Sequence, residues 1–216
     1  LARGPRLVDV LIALVVDPRN WHAPLPQWWA TVHATFVLAA VPDPACDTPL
    51  LSAMRDAEAH GNGWISGAMP SLLGARGARL RPALMGIIGD RKELDEVRCT
   101  ALDGLVASTL VDSEGRDEVL ARVGEAFTAA DESLWVRTHA AQLLLDFQVR
   151  TYEQALMDFA SDVLDSEIAD DANIDAFDAA DVILAFAGSP DLSRYRESWL
   201  DFYAARTIEY RQERWR

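Results

Sequence analysis

Two nine-residue segments of this chain, 39 positions apart, are nearly superimposable. Residues 97–105 (VRCTALDGL) align with residues 136–144 (VRTHAAQLL), and valine, arginine, alanine and leucine recur at the same offsets. The first, fifth and ninth positions of each segment are apolar and fall on one face of a helix. A helix of this kind cannot bury its apolar face alone, so successive copies must stack on one another. The pattern therefore predicts an all-α helical repeat protein.

The repeat extends towards the N-terminus through a series of corresponding alanines. These alanines are 34, 33 and 39 residues apart and stand at Ala34, Ala68, Ala101 and Ala140. Such spacings suit a two-helix repeat with turns of variable length. Arg98 and Arg137 begin their helices, where a cation gains nothing from the helix dipole. We expect them to bond a carboxylate or carbonyl of the neighbouring repeat and assign them, with Ala101 and Ala140, a structural role.

Proline and glycine breaks divide the chain into predicted helices, and Thr48 is the expected N-cap of the third. The predicted helices are residues 8–17, 27–41, 48–60, 64–73, 80–88, 96–110, 115–130, 134–147, 151–165, 174–187 and a last one from residue 194 onwards. We expect one domain over residues 1–216. The repeats occupy about 26–165, and an acidic segment with C-terminal capping helices occupies 166–216.

Several short motifs in these helices resemble the HEAT-like repeats of bacterial proteins. They are PSLLG at 70–74, RPALMGIIGD at 81–90, VRCTAL at 97–102 and VRTHAA at 136–141. The resemblance implies an α-α superhelix, a HEAT-like α-solenoid of helical hairpins, whose concave face is lined by the second helix of each pair. It does not imply one function, because HEAT repeats occur in scaffolds, peptide binders, DNA glycosylases and phycobilin lyases.

The charge distribution restricts the possible partners. The net charge is −14, which repels phosphate backbones, so we expect no nucleic-acid partner. No apolar run reaches membrane-spanning length, so we expect no membrane partner and a cytoplasmic protein. Between Arg150 and Arg194 there is no lysine or arginine, whereas residues 194–216 carry six arginines against four acids. That contrast predicts charge pairing within the chain.

No pattern in the sequence predicts catalysis, a cofactor or a metal. None of the four histidines is followed by glutamate, unlike the paired dipeptides of HEAT-fold iron hydroxylases. Residues 171–175 resemble the start of a calcium-binding EF-hand loop, but Ala176 replaces the required glycine and Val182 the required glutamate. No nucleophile elbow or phosphate-binding loop is present. We therefore expect a non-enzymatic protein.

Tryptophan is the residue type that most invites a functional interpretation. The chain has seven, and the candidate binding residues are the N-terminal group Trp21, Trp28, Trp29 and Trp64, together with His33. Exposed aromatic side chains can form binding hot spots. The alternative is that they plug the open end of the solenoid. Trp199 and Trp215 near the C-terminus are open to both interpretations.

These observations predict a scaffold or adaptor that binds a protein or peptide on the concave face of the solenoid. One alternative is an enzyme or chaperone of the bilin-lyase type, which would hold a small apolar ligand near Trp28 and Trp64. A DNA glycosylase is less favoured, because it needs a basic groove. The chain could also be a self-associating subunit, a homo-oligomer that uses its C-terminal aromatic helix.

Overall fold

A computed structural model describes the backbone of residues 5–164, 177–196, 198, 201 and 203–214. In these ranges every regular element is a helix and no strand occurs. The α-helices are α1 (Pro5–Val16), α2 (Pro18–Trp21), α3 (Trp29–Ala40), α4 (Asp47–Ala59), α5 (Gly63–Ser66), α6 (Met69–Gly74), α7 (Arg81–Gly89), α8 (Asp95–Val111), α9 (Arg116–Thr128), α10 (Leu134–Asp146), α11 (Glu153–Leu164), α12 (Ala179–Ala187) and α13 (Ala205–Arg214). Short 3₁₀ turns lie at Pro44–Cys46, Gly77–Leu80, Arg150–Tyr152 and Ser193–Tyr195. The all-α prediction is confirmed.

The two repeated segments adopt the same conformation and bury the same face. Helices α8 and α10 each begin two residues before the repeated valine. The first, fifth and ninth positions are at most 1% exposed in both copies: Val97, Ala101, Leu105, Val136, Ala140 and Leu144. Consecutive helices pack on one another along this part of the chain, α8 against α6, α7, α9 and α10. The helical periodicity therefore identified the buried face correctly.

The two repeated arginines make the same contact in each copy. Arg98 donates its Nε to the carbonyl of Ile88, and Arg137 donates its Nε to the carbonyl of Phe127, both at 3.0 Å. Each acceptor lies ten residues earlier, in the last turn of the preceding helix. A cation is stabilised there by the free carbonyls and the negative end of the helix dipole. Each arginine therefore fastens its helix to the end of the helix before it.

Arg98 also takes part in a buried ion pair between successive turns. Its Nη1 and Nη2 bond Oε1 and Oε2 of Glu132 at 2.8 and 2.5 Å, and both side chains are 3% exposed. Arg91, which is half exposed, bonds the same carboxylate at 2.5 Å. Glu132 lies in the turn before α10, so this pair joins the start of α8 to the start of α10.

Two glycines allow α6 and α8 to approach closely. A Cβ at Gly74 would lie 2.6 Å from Cβ of Ala107, and a Cβ at Gly104 would lie 2.7 Å from Cβ of Leu73. Both distances are far below van der Waals contact, so each glycine leaves the space that a residue of the other helix occupies.

Several helix boundaries differ from the sequence prediction, and local capping explains three of them. Residues 64–73 form two helices, because Asn62 caps α5 and Pro70 begins a new helix at α6. Thr48 is not an N-cap: Asp43 caps the 3₁₀ turn at Pro44–Cys46, and this turn continues directly into α4. The predicted helix from residue 174 begins at Ala179, where Asp178 and Asp181 form a capping box. Local caps therefore override the apolar periodicity at these positions.

The last predicted helix does not begin at residue 194. A 3₁₀ turn lies at Ser193–Tyr195, where the Asp191 carboxylate accepts from the Ser193 N–H, and the next described α-helix, α13, begins at Ala205. Residues 165–176, with the acidic run and the partial EF-hand match, are outside the described part of the chain, as are Trp199 and Trp215. None of the described helices is both long and apolar enough to span a membrane.

Candidate functional site

The C-terminal segment, described at residues 193–196, 198, 201 and 203, lies against helices from the whole length of the repeat. Its contacts fall on α3, α6, α8 and α10. These correspond to the predicted helices 27–41, 64–73, 96–110 and 134–147, each of which is the first helix of a predicted two-helix repeat. We call the surface that these four helices share the first-helix face. A C-terminal cap that covered only the last pair of helices would not reach α3. The segment therefore runs across the helices from α10 to α3.

Arg194 and Tyr195 anchor the segment to two carboxylates. The Tyr195 hydroxyl donates to Oδ2 of Asp146 at 2.6 Å, and Nη2 of Arg194 lies 2.9 Å from the same oxygen. Nη2 of Arg194 also donates to the Tyr195 hydroxyl and lies 3.8 Å from Oδ1 of Asp103. Gln142 holds Asp146 in place by donating to its other oxygen at 2.9 Å. An arginine next to an aromatic residue is thus bound by acids from α8 and α10.

The surroundings of Tyr195 and Arg194 hold these two groups in one charge state each. Burial, and then the negative charges of Asp146 and Asp103, raise the pKa of the Tyr195 hydroxyl far above its ordinary value. Burial opposes the charge on Arg194, but the Tyr195 oxygen and the two carboxylates outweigh it and raise the pKa of Arg194. The tyrosine therefore remains a neutral donor and the arginine a cation throughout the physiological range.

Asp103 has hydrogen-bonding capacity that the C-terminal segment does not use. Its Oδ1 is buried and accepts no hydrogen bond, while its Oδ2 lies 3.2 Å from Nε2 of His139. That histidine nitrogen is also buried and is not aligned for a hydrogen bond. A buried polar atom without a partner costs about 1–3 kcal/mol. A donor that reached deeper than Arg194 would recover this free energy.

A small cavity separates the segment from the middle of the first-helix face. Its volume is about 260 Å³, and it lies between Tyr195, Arg196 and Ser198 on one side and α3, α6 and the end of α8 on the other. Small and apolar side chains form most of the helical side: Ala39, Ser71, Leu72, Ala75, Leu110 and Val111. The chemistry thus changes from acidic at α10 to apolar at α6.

Four of the five candidate binding residues come together at the far end of the first-helix face. The ring of Trp29 lies 5.2 Å from Trp28, 5.4 Å from Trp64 and 5.8 Å from His33, measured between centroids. Nδ1 of His33 is 2.9 Å from the hydroxyl of Tyr203, which extends this aromatic cluster into the C-terminal segment. The three tryptophans are only partly buried.

Trp21 does not belong to this surface. It is 4% exposed, donates its Nε1 to the carbonyl of Val15 at 2.9 Å and stacks on His60. A buried and satisfied indole cannot contact a partner directly, so Trp21 is a core residue. The chemical similarity of the tryptophans concealed this difference in the sequence.

The acidic half of the site was not predicted from the sequence. Asp103, Asp146, Arg194 and Tyr195 were not candidates, although internal pairing of the C-terminal arginines was expected. Arg194 does pair within the chain, but with acids on α8 and α10 and not with the acidic segment between Arg150 and Arg194. The available signal was that Asp103 and Gln142 occupy equivalent positions in the two repeated segments, where a polar residue interrupts the apolar pattern.

The described side chains contain no group of three or more histidines, cysteines or acids placed to hold a metal ion. Cys46 and Cys99 are buried and unpaired with each other, and burial raises the pKa of both thiols. No protein-family model, curated protein or solved structure matches this chain.

Proposed function

We propose that this chain is a HEAT-like α-solenoid that acts as a non-enzymatic adaptor in the cytoplasm. Its first-helix face binds a protein segment in which an arginine stands next to an aromatic residue. One observation carries the proposal: the chain's own C-terminal segment, anchored by Arg194 and Tyr195, is bound to this face. The resemblance to HEAT-like repeats implies a ligand on the second helix of each pair. We propose the first helices instead, because the C-terminal segment is bound there.

The acidic end of the face supplies selectivity for arginine. Asp146 is 20% exposed and Asp103 is 13% exposed, so both carboxylates are shielded from water and screened little by salt. Charge-assisted bonds in such a setting are about twice as strong as neutral ones. The net charge of −14 adds a long-range attraction for a basic partner.

The aromatic end of the face supplies apolar contact. Trp28, Trp29 and Trp64 are held by one another, so little side-chain entropy remains to be lost on binding. Partly exposed tryptophans are the side chains most enriched at binding hot spots. The Tyr203–His33 contact supports this role, because it brings an aromatic residue of the C-terminal segment to this end.

The C-terminal segment would compete with such a partner because it is tethered to the face. A tethered segment acts at an effective concentration on the order of millimolar. A partner must therefore bind more tightly than the segment, or the segment must first be displaced. Weakening the internal contacts should make the face more available.

A synthetic peptide with the sequence of residues 190–204 tests the proposal. Its labelled form is titrated, by fluorescence anisotropy, with the full chain and with the Arg194→Ala, Tyr203→Ala double variant. Both substituted side chains are at least one-third exposed, so the fold should survive. We expect the double variant to bind the peptide about tenfold more tightly than the unaltered chain, because its own segment competes less.

The control peptide carries the same two alanines as the protein variant. This control peptide should show no measurable binding to either protein over the same range of protein concentrations. Equal, weak binding of both peptides to both proteins would contradict a specific peptide site. Circular dichroism of the double variant verifies that its helices are intact.

A further inference from the structure

Two histidines that are 38 residues apart meet at the surface, each at the end of a helix. His22 follows α2 and His60 follows α4, each as the C-cap of its helix. Their Nε2 atoms are 3.1 Å apart, their ring centroids are 4.6 Å apart, and both residues are exposed. The proposed peptide-binding function makes no use of this pair.

The orientation of His60 is fixed by its surroundings. Its Nδ1 lies 2.7 Å from the carbonyl oxygen of Asp56. A carbonyl can only accept, so Nδ1 carries the proton and Nε2 presents its lone pair to His22. The ring also stacks on Trp21, at 5.7 Å between centroids, and Trp21 is itself held by the Val15 carbonyl. Metal-binding histidines characteristically donate their second nitrogen to a backbone carbonyl in this way.

The separation of the two nitrogens matches one metal ion with two imidazole ligands. Metal–nitrogen bonds of about 2.0–2.1 Å place two ligand nitrogens about 2.9 Å apart in square geometry and about 3.3 Å apart in tetrahedral geometry. The observed 3.1 Å lies between these values. His60 also ends a 13-residue helix, whose negative dipole end favours a cation at this place.

We propose that His22 and His60 form a two-histidine site for a divalent transition metal of the zinc, nickel and copper group. Both ligate through Nε2. In the metal-free pair, Nε2 of His22 carries a proton and donates it to Nε2 of His60. When the metal binds, His22 changes tautomer and carries this proton on Nδ1 instead. Two neutral histidines therefore bind the metal without releasing a proton. Water completes the coordination, which leaves the ion exchangeable. No metal was expected from the sequence, because none of the four histidines is followed by glutamate.

The test is a calorimetric titration of the full chain with Zn²⁺ and Ni²⁺ after treatment with a chelator. We compare the unaltered chain with His22→Ala and His60→Ala, and use His33→Gln as the control because this histidine belongs to the aromatic cluster. We expect one equivalent of each metal to bind the unaltered chain and the control. Affinity should fall tenfold or more in either alanine variant, and it should fall on acidification because the ligands must be deprotonated.

A second readout identifies the ligands. Side-chain ¹⁵N resonances of His22 and His60, and of no other histidine, should shift when Zn²⁺ is added. If both alanine variants bound the metal as tightly as the unaltered chain, another group would hold it, and the proposal would be overturned. Absence of binding to the unaltered chain at millimolar metal would overturn it as well, and the pair would be a simple hydrogen bond between imidazoles.

Discussion

Replacing Glu132 by glutamine should destabilise the chain more than any single change of a surface acid. The substitution keeps the shape of the side chain but removes the charge that neutralises Arg98 and Arg91. It also turns an amide NH₂ towards one of the two guanidinium nitrogens. Among the described residues, Arg98 would keep a carboxylate only at Asp95, 3.3 Å away and 36% exposed. A buried cation would thus be left largely without its counter-charge.

The size of the effect follows from the burial of the pair. Both side chains are 3% exposed, and breaking such a pair by removing one partner costs about 3–5 kcal/mol. Domains have free energies of unfolding of about 5–15 kcal/mol, so the loss would be a large part of the total. Urea unfolding followed by circular dichroism measures it. The matched control is Glu125→Gln, which breaks an exposed pair with Arg122 and should cost about 0.2–1 kcal/mol.

The same pair makes stability depend on pH. Burial raises the pKa of Glu132, but the bonds from Arg98 and the Ser133 amide outweigh burial and place the pKa below its ordinary value. A depressed pKa contributes stability above the unfolded value of about 4.3, and this contribution is lost as pH falls further. The difference between the unaltered chain and Glu132→Gln should therefore shrink below about pH 4. If Glu132→Gln costs no more than Glu125→Gln at neutral pH, the buried pair does not join the repeats as argued.

Two further substitutions test the packing of the repeat. Gly104→Ala should lower the free energy of unfolding by about 1–3 kcal/mol, because its Cβ would lie 2.7 Å from Cβ of Leu73. The control is Gly86→Ala, whose Cβ meets nothing within 4 Å and which should be neutral or stabilising. Equal effects of the two substitutions in urea unfolding would argue against close packing of α6 and α8 at Gly104. Arg137→Gln should cost about 1–3 kcal/mol through loss of the charged bond to the Phe127 carbonyl, and an unchanged unfolding midpoint would contradict a structural role.

The repeat was predictable because its determinants are local. Val97, Ala101 and Leu105 identify one helical face, and the second copy identifies the same face, so periodicity alone indicates the buried residues. Capping is equally local but was predicted less well. Pro70 can continue a helix pattern in the sequence, yet in the structure it begins a new helix after the Asn62 cap.

The site was predictable only at its aromatic end. Trp28 and Trp29 are neighbours in the chain, and Trp64 belongs to the next repeat, so proximity along a stacked array brings them together. The acidic end depends on Tyr195 meeting Asp146 across 49 residues, and residues 165–176 between them give no pattern that fixes the return path. The pairing of His22 with His60 similarly depends on where two helices end.

The clearest test of the peptide site measures how tightly the labelled 190–204 peptide binds the Arg194→Ala, Tyr203→Ala protein. The affinity is compared with that of the same protein carrying Asp146→Asn in addition. Asp158→Asn is the matched control, since Asp158 accepts the same bond from a glutamine four residues earlier, at the same 2.9 Å, but lies on α11. Asp146 is the carboxylate that receives both Arg194 and Tyr195. The account predicts that Asp146→Asn weakens peptide binding about tenfold or more, since bonds to a charged group contribute about 1.5–3 kcal/mol, while Asp158→Asn leaves it unchanged. Equal affinities in all three proteins would contradict the claim that the first-helix face is the binding surface.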